Sequence, residues 1–286
     1  SRFAPGGLSP RAVRTRPAIH PCPHPPEAPL HESDARHCAN YRAVIGLLAA
    51  APRSQLIDTP GLCASLVPVV PACTMANVAI VPEAAGLPTA LPLLRAADGF
   101  RHSVWLPSAE ATPAATMALR RAGFERVSTL PGMTLTLSEM TAGPVPDRLT
   151  AARSASALAK LARINADART DADDLPSAWT LPDACLPPSL RVYLAWEGET
   201  AVSGLLTLRA GSDCVVGYVA TVPAARRRGY AAGLLRAALA DAATEGMVTS
   251  TLQADHEAIP LYERVGYRSE TAFALYRLPA SPERPA

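Results

Sequence analysis

Apolar positions along the chain fall into alternating helix and strand periods, most clearly in the second half. Residues 154–167 put Leu158, Leu161 and Ile164 at helix spacing. RVYLAWEGE (191–199) and TAVSGLLTLR (200–209) read as two strands turning at Gly198. A third strand is expected over 214–221, followed by a helix over 229–245 whose Leu234, Leu235, Ala238, Leu239 and Ala242 share one stripe. Next come a strand over 249–254, a short helix over 258–265 closed by Gly266 as a left-handed cap, and a last strand over 271–278. In the first half, helical periodicity begins near Ser33, with Tyr41, Val44, Ile45, Leu47 and Leu48 on one face, and MTLTL (133–137) is strand-like. Strands alternating with helices predict a mixed α/β sheet.

Proline punctuates this pattern. Residues 1–32 are rich in Pro, Arg and His (PAIHPCPHPPEAP), a density that forbids helix and sheet ladders, so they read as an extended arm. TAGPVPD (141–147) interrupts the pattern at mid-chain and divides a first lobe, 33–143, from a second, 144–286. The halves repeat one another. LRRAGFERV (119–127) matches YERVGYRSE (262–270), so Gly123 and Gly266 are equivalent, 143 positions apart. AIVPEAAGLP (79–88) matches ATVPAARRRGYA (220–231), with the Val-Pro pairs 141 apart, so the first copy of that loop is two residues shorter. The chain reads as a tandem duplication of one α/β unit.

Composition narrows the function classes. At 286 residues, two domains or one large one are expected. Lys+Arg 27 against Asp+Glu 25 gives +2, too little field for a dedicated nucleic-acid binder. With 49% hydrophobic and 18% charged residues, the chain is not globally disordered. No apolar run approaches the ~20 residues needed to cross a bilayer, and the basic N-terminal stretch has no apolar run behind it to form a signal peptide. Six irregularly spaced cysteines suit a reduced, cytoplasmic protein. His20, Cys22 and His24, with His31, His37 and Cys38 downstream, match no zinc-finger spacing, and no metal is expected.

The chemistry concentrates in VATVPAARRRGYAAGLLRAAL (219–239). A strand runs into Val222-Pro223, then a basic loop, then Gly229 at the start of an amphipathic helix. Glycine permits a tight turn that leaves amides unpaired at a helix N-terminus, an anion site suited to a pyrophosphate. A solvated basic turn is the plainer alternative. Arg226-Arg227-Arg228-Gly229-Tyr230-Ala231 resembles the Q/R-x-x-G-x-G/A signature of the GNAT superfamily of acetyl-CoA-dependent N-acetyltransferases. The preceding Val-Pro, the helix, TSTLQA and AIPLYERVGYR follow in that family's order, and the resemblance spans about 150–278.

The resemblance implies a mixed, mostly antiparallel sheet flanked by helices in each lobe. It also implies that Val219, Ala220, Thr221 and Val222 line the acetyl-pantetheine, and that Arg226, Arg227, Arg228, Gly229, Tyr230 and Ala231 hold the pyrophosphate. Tyr262 stands where the family has a tyrosine that protonates the departing thiolate, and His256 where it often has a cofactor-contacting Asn. A half-buried helix aromatic is the plainer account of Tyr262. No general base is evident: Glu197, Asp213 and Glu257 are candidates, none favoured by spacing. The first lobe lacks this chemistry. Its loop is PEAAG, Glu83 opposes an anion, and Leu119 stands at the Tyr262 position, so it is expected to be degenerate and to supply packing and one wall of the cleft. The expectation is an acetyl-CoA-dependent N-acetyltransferase acting on a small-molecule amine, with a homodimer as the candidate assembly and no nucleic-acid or membrane partner. The alternative is a non-catalytic acyl-CoA-binding or regulatory protein of the same fold.

Overall fold

A computed structural model describes residues 31–97, 99–169 and 174–278, and the arm's His20, Cys22 and His24 lie outside the described residues. The first half contains α1 (Glu32–Ala49), β1 (Gln55–Thr59), β2 (Leu62–Leu66), β3 (Val78–Ile80), α2 (Leu87–Ala96), β4 (Ser103–Pro107), α3 (Pro113–Arg121) and β5 (Glu125–Thr136). The second contains β6 (Leu149–Ala152), α4 (Ala155–Ala168), α5 (Leu175–Ala178), β7 (Arg191–Glu197), β8 (Thr200–Ala210), β9 (Asp213–Thr221), α6 (Tyr230–Thr244), β10 (Thr249–Gln253), α7 (Ile259–Val265) and β11 (Arg268–Arg277). Local chemistry marks several boundaries. Ser154 Oγ accepts from the Ala157 amide at the start of α4 (3.1 Å), and Thr112 Oγ1 does the same for Ala115 at α3 (3.2 Å). Gly266, at φ +116°, closes α7.

All strands join one 11-stranded sheet in the order β1-β2-β3-β4-β11-β5-β10-β9-β8-β7-β6. Only β3–β4 and β9–β10 are parallel. With β6 set aside, the order reads the same from either end when each first-half strand is exchanged for its second-half counterpart. The duplication is therefore visible as a pseudo-twofold, with Gly123 (φ +91°) and Gly266 in equivalent turns before β5 and β11. The architecture departs from two separate sheets in one respect: the lobes exchange their last strands. β5 pairs with β10 of the second half, β11 pairs with β4 of the first, and β5 and β11 pair with each other along nearly their whole length.

Alternate strand residues serve opposite faces. Val192 and Leu194 pack under α1 and α4, with Ile45, Leu48, Leu158 and Leu161, whereas Tyr193 and Ala195 pack under α6 and α7, with Leu234, Leu235 and Leu239. Helices α2 and α3 cover the second face over the first-half strands, where Leu119 is fully buried. Helix α1 crosses the sheet where the exchanged strands meet, and there it buries polar side chains that its apolar stripe does not announce. His37 Nε2 donates to Thr134 Oγ1 (3.1 Å) while its Nδ1 accepts from Gln253 Nε2 (3.2 Å). Asn40 Nδ2 donates to Thr251 Oγ1 (2.9 Å) and to Asp213 Oδ2. Burial lowers the His37 pKa to about 4, so the ring is neutral at pH 7.

Candidate active site

After β9 the chain makes a 3₁₀ turn at Pro223–Ala225 and reaches Gly229, the N-cap of α6, at φ +85°. A Cβ added to Gly229 would meet nothing within 4 Å, so the backbone angle, rather than crowding, demands glycine there. Arg227 is also left-handed, at φ +64°. The first amide of this helix to find a backbone acceptor is that of Gly233, on Gly229 O (3.0 Å). Among the described residues the Tyr230, Ala231 and Ala232 amides have no hydrogen-bond partner, and they lie ahead of it at the positive end of a 15-residue helix.

The three arginines have different duties. Arg226 donates to two backbone carbonyls, Thr221 O (3.2 Å) and Ala168 O (2.9 Å), and so ties the loop to the end of α4. Arg228 pairs with Glu197 at 2.9 Å, and that carboxylate also raises the Tyr230 phenol pKa, chiefly by hydrogen bonding. Arg227 has no ion-pair partner among the described residues and is exposed.

The parallel ladder between β9 and β10 holds for three positions only, Asp213–Val215 against Thr249–Thr251. Past Val215 the strands part, and a cavity of about 300 Å³ opens between them. Val216, Gly217, Tyr218 and Val219 of β9 line it, with Leu252 and Gln253 of β10. On its β8 side, β9 carries one extra residue: Gly204 opposes Ala220 while Leu206 opposes Gly217. Tyr218, at φ +54°, sits in this bulge. It is held there by its hydroxyl, which donates to Met75 O (3.0 Å), by Asn165 Nδ2, which donates to its carbonyl (3.0 Å), and by an edge-on contact with Trp179 (4.5 Å). The strain of a left-handed tyrosine is thus offset from three sides at the mouth of the opening.

Among the expected cofactor residues, Val219 lines the cavity. Ala220 O accepts from Ser203 Oγ (3.0 Å), Thr221 Oγ1 lies 2.8 Å from the same oxygen, and the Val222 amide donates to Val202 O (2.9 Å). Ala231 lies in the open first turn of α6, and His256 is exposed on the turn before α7, with no partner among the described residues. Tyr262 is 5% exposed, packs edge-on against Tyr267 at 5.9 Å and faces the cavity. Its hydroxyl has no hydrogen-bond partner among the described residues. Burial first, and then the Asp255 carboxylate, push its pKa above the usual tyrosine value, so the phenol is protonated at neutral pH.

None of the three expected bases lines the cavity. Glu197 is engaged by Arg228, Asp213 stands at the far end of β9 with Asn40, and Glu257 is exposed. Asp255 is the only carboxylate on the cavity wall among the described residues, held by Arg169 at 2.5 Å. The first half supplies the opposite wall: Tyr41 and Val44 of α1, Met75, and Trp105 of β4, with Tyr41 and Trp105 rings 4.9 Å apart.

The equivalent loop of the first half is filled. The Ala84 amide donates to Glu110 Oε2 (2.8 Å), so a carboxylate of the chain itself occupies a loop donor. Gly86 packs so closely on Gly61 that an added Cβ would lie 2.7 Å from Gly61 O. Glu83, the residue that the sequence singles out, stands at the N-terminal end of the short turn without a side-chain hydrogen bond to it.

Residues 158–267 match the model of the acetyltransferase (GNAT) family. This segment is a GNAT domain. GNAT-family members are acetyltransferases, which is the chemistry that the splayed strands and open helix start accommodate. A GCN5-related N-acetyltransferase from Kribbella flavida superposes with a TM-score of 0.62 at 21% identity, over 85% of this chain and 96% of that one. A tandem GNAT protein from the clavulanic acid biosynthesis pathway gives 0.53 at 13% identity, over 88% and 97%. A GCN5-related N-acetyltransferase from Sphaerobacter thermophilus gives 0.51 at 15%, over 84% and 92%. At these identities the likeness is one of fold, and it extends over both halves of the GNAT-domain chain. No curated protein matches the chain.

Proposed function

We propose that the chain is an acetyl-CoA-dependent N-acetyltransferase that acetylates a primary amine of a small molecule, using its second half for the cofactor and both halves for the acceptor. The observation that carries this reading is the opening between β9 and β10 with the buried, protonated Tyr262 on its wall, where β9 runs on into the glycine turn that starts α6. Acetyl-CoA supplies an activated thioester.

The Tyr230, Ala231 and Ala232 amides bind its pyrophosphate, with Arg227 adding charge from the surface. Arg226 holds the loop in shape through Thr221 O and Ala168 O. The bulge at Tyr218 interrupts the β8 ladder beside the opening, and a backbone donor released there would polarise a carbonyl oxygen. Tyr262 donates its proton to the sulfur as negative charge develops there in the breaking C–S bond. Asp255, oriented by Arg169, accepts the surplus proton of the attacking nitrogen.

The test combines calorimetry with thiol release over a panel of primary amines. One acetyl-CoA site per chain and amine-dependent thiol release are expected. Failure to bind acetyl-CoA overturns the reading. Binding without release on any amine favours the non-catalytic acyl-CoA-binding alternative.

A further inference from the structure

One buried polar atom in the cavity is left over by the roles above. Asn165 of α4 is 0% exposed and lines the cavity between the β9 bulge and the first-half wall. Both hydrogens of its Nδ2 are committed, one to Leu161 O and one to Tyr218 O, each at 3.0 Å. Both partners are carbonyls and can only accept, so the amide cannot be turned over, and Oδ1 has a fixed direction. Among the described residues that oxygen has no hydrogen-bond partner. A buried acceptor with no donor costs about as much as a lost hydrogen bond, and such a group calls for a ligand that supplies one.

We propose that Asn165 Oδ1 receives an N–H of the acceptor while its nitrogen attacks, and that this contact selects amines over alcohols. The inference rests on the acetyltransferase reading of the same cavity. A neutral primary amine carries a lone pair and two hydrogens. It can point the lone pair at the thioester carbon and one hydrogen at Oδ1. As the C–N bond forms and the C–S bond breaks, sulfur takes the Tyr262 proton, and the nitrogen sheds one hydrogen to Asp255 and keeps the other on Oδ1. Asp255 then gives its proton up to water as Tyr262 regains one from water, so both groups are reset and the sum is amine plus thioester to amide plus thiol. An alcohol has a single O–H. If that hydrogen is held by Oδ1, an amide oxygen too weakly basic to remove it, the oxygen cannot be deprotonated for attack. If it goes to Asp255, Oδ1 stays buried without a donor. Either way the alcohol forfeits one interaction that the amine keeps, and sites of this kind discriminate strongly against the partner lacking the group.

The experiment uses the full chain and matched acceptor pairs, 2-phenylethylamine with 2-phenylethanol and hexylamine with hexanol among them. The readout is the single-turnover amine-to-alcohol ratio of transfer, for wild type and for Asn165→Leu. This ratio is independent of the folded fraction, so a partly unfolded Leu variant still reports. Wild type is expected to favour the amine, and Asn165→Leu to lower the ratio by roughly 10- to 100-fold. A ratio unchanged in Asn165→Leu, or a wild type indifferent to amine and alcohol, overturns the proposal while leaving the acetyltransferase reading intact. A wild type that binds no acetyl-CoA, or transfers to no acceptor, removes that reading and this one with it.

Discussion

The proton-donor role proposed for Tyr262 rests on where α7 places it. The ring is anchored edge-on against Tyr267 and the hydroxyl is left to the cavity, so replacement by phenylalanine keeps the packing and removes only the proton. General-acid help of this kind is worth roughly 10²–10⁴ in rate. Tyr262→Phe is therefore expected to transfer acetyl groups that much more slowly in a single turnover, with little change in acetyl-CoA affinity. Wild-type single-turnover transfer by the variant would reduce Tyr262 to a packing residue. The tyrosine was legible in the sequence because it stands in a short motif beside a glycine turn. Asn165, Tyr218 and Asp255 were not. They reach one cavity from a helix, a bulged strand and the end of another strand, and no local spacing records that convergence.

In the proposed function, cofactor binding turns on the loop between β9 and α6. A β-branched residue at Gly229 would have to adopt φ +85°, or else move the three free amides behind it. A strained conformation of that sort costs on the order of 1–3 kcal/mol, about 10- to 100-fold in an equilibrium. Gly229→Val is thus expected to weaken acetyl-CoA binding by at least that factor in calorimetry, with the far-UV circular dichroism near wild type. Unchanged affinity would remove the anion-site assignment.

Elements of this kind were readable because their side-chain periods are strong. The stripe Leu234, Leu235, Ala238, Leu239 and Ala242 is buried as its spacing predicts. The periods failed where chemistry interrupts them. MTLTL is only the end of β5, whose earlier part contains Pro131 and Gly132 and so resembles a turn. Structurally that proline is tolerated because β10 ends opposite Gly132, and Pro131 lies past the end of that ladder. In α1, the buried Asp34, His37 and Asn40 look like a solvated face until the strands beneath them, rich in Thr and Gln, are in place.

At the scale of the whole molecule, the repeat was legible and the exchange of strands was not. Two copies of one unit carry the same last strand, so trading β5 for β11 alters neither the strand count nor the environment each copy meets. Periodicity identifies strands without naming their partners. The exchange has a thermodynamic consequence. β11 lies between β4 and β5, and β5 lies between β11 and β10, so neither half can unfold without stripping a strand from the other. Helix α1 adds buried hydrogen bonds to Thr251 and Gln253 of the second half, which would be left unpaired if one half opened alone. The full chain is therefore expected to melt in one calorimetric transition, with calorimetric and van't Hoff enthalpies equal, as a single cooperative unit requires. Acetyl-CoA sharpens the test, because a ligand that binds the native state at one site raises the midpoint of whatever unit contains that site. With the lobes joined through β5 and β11, it should shift the whole transition, first-half strands included. Two resolved transitions, of which acetyl-CoA moves only one, would show that the halves unfold independently despite the shared sheet.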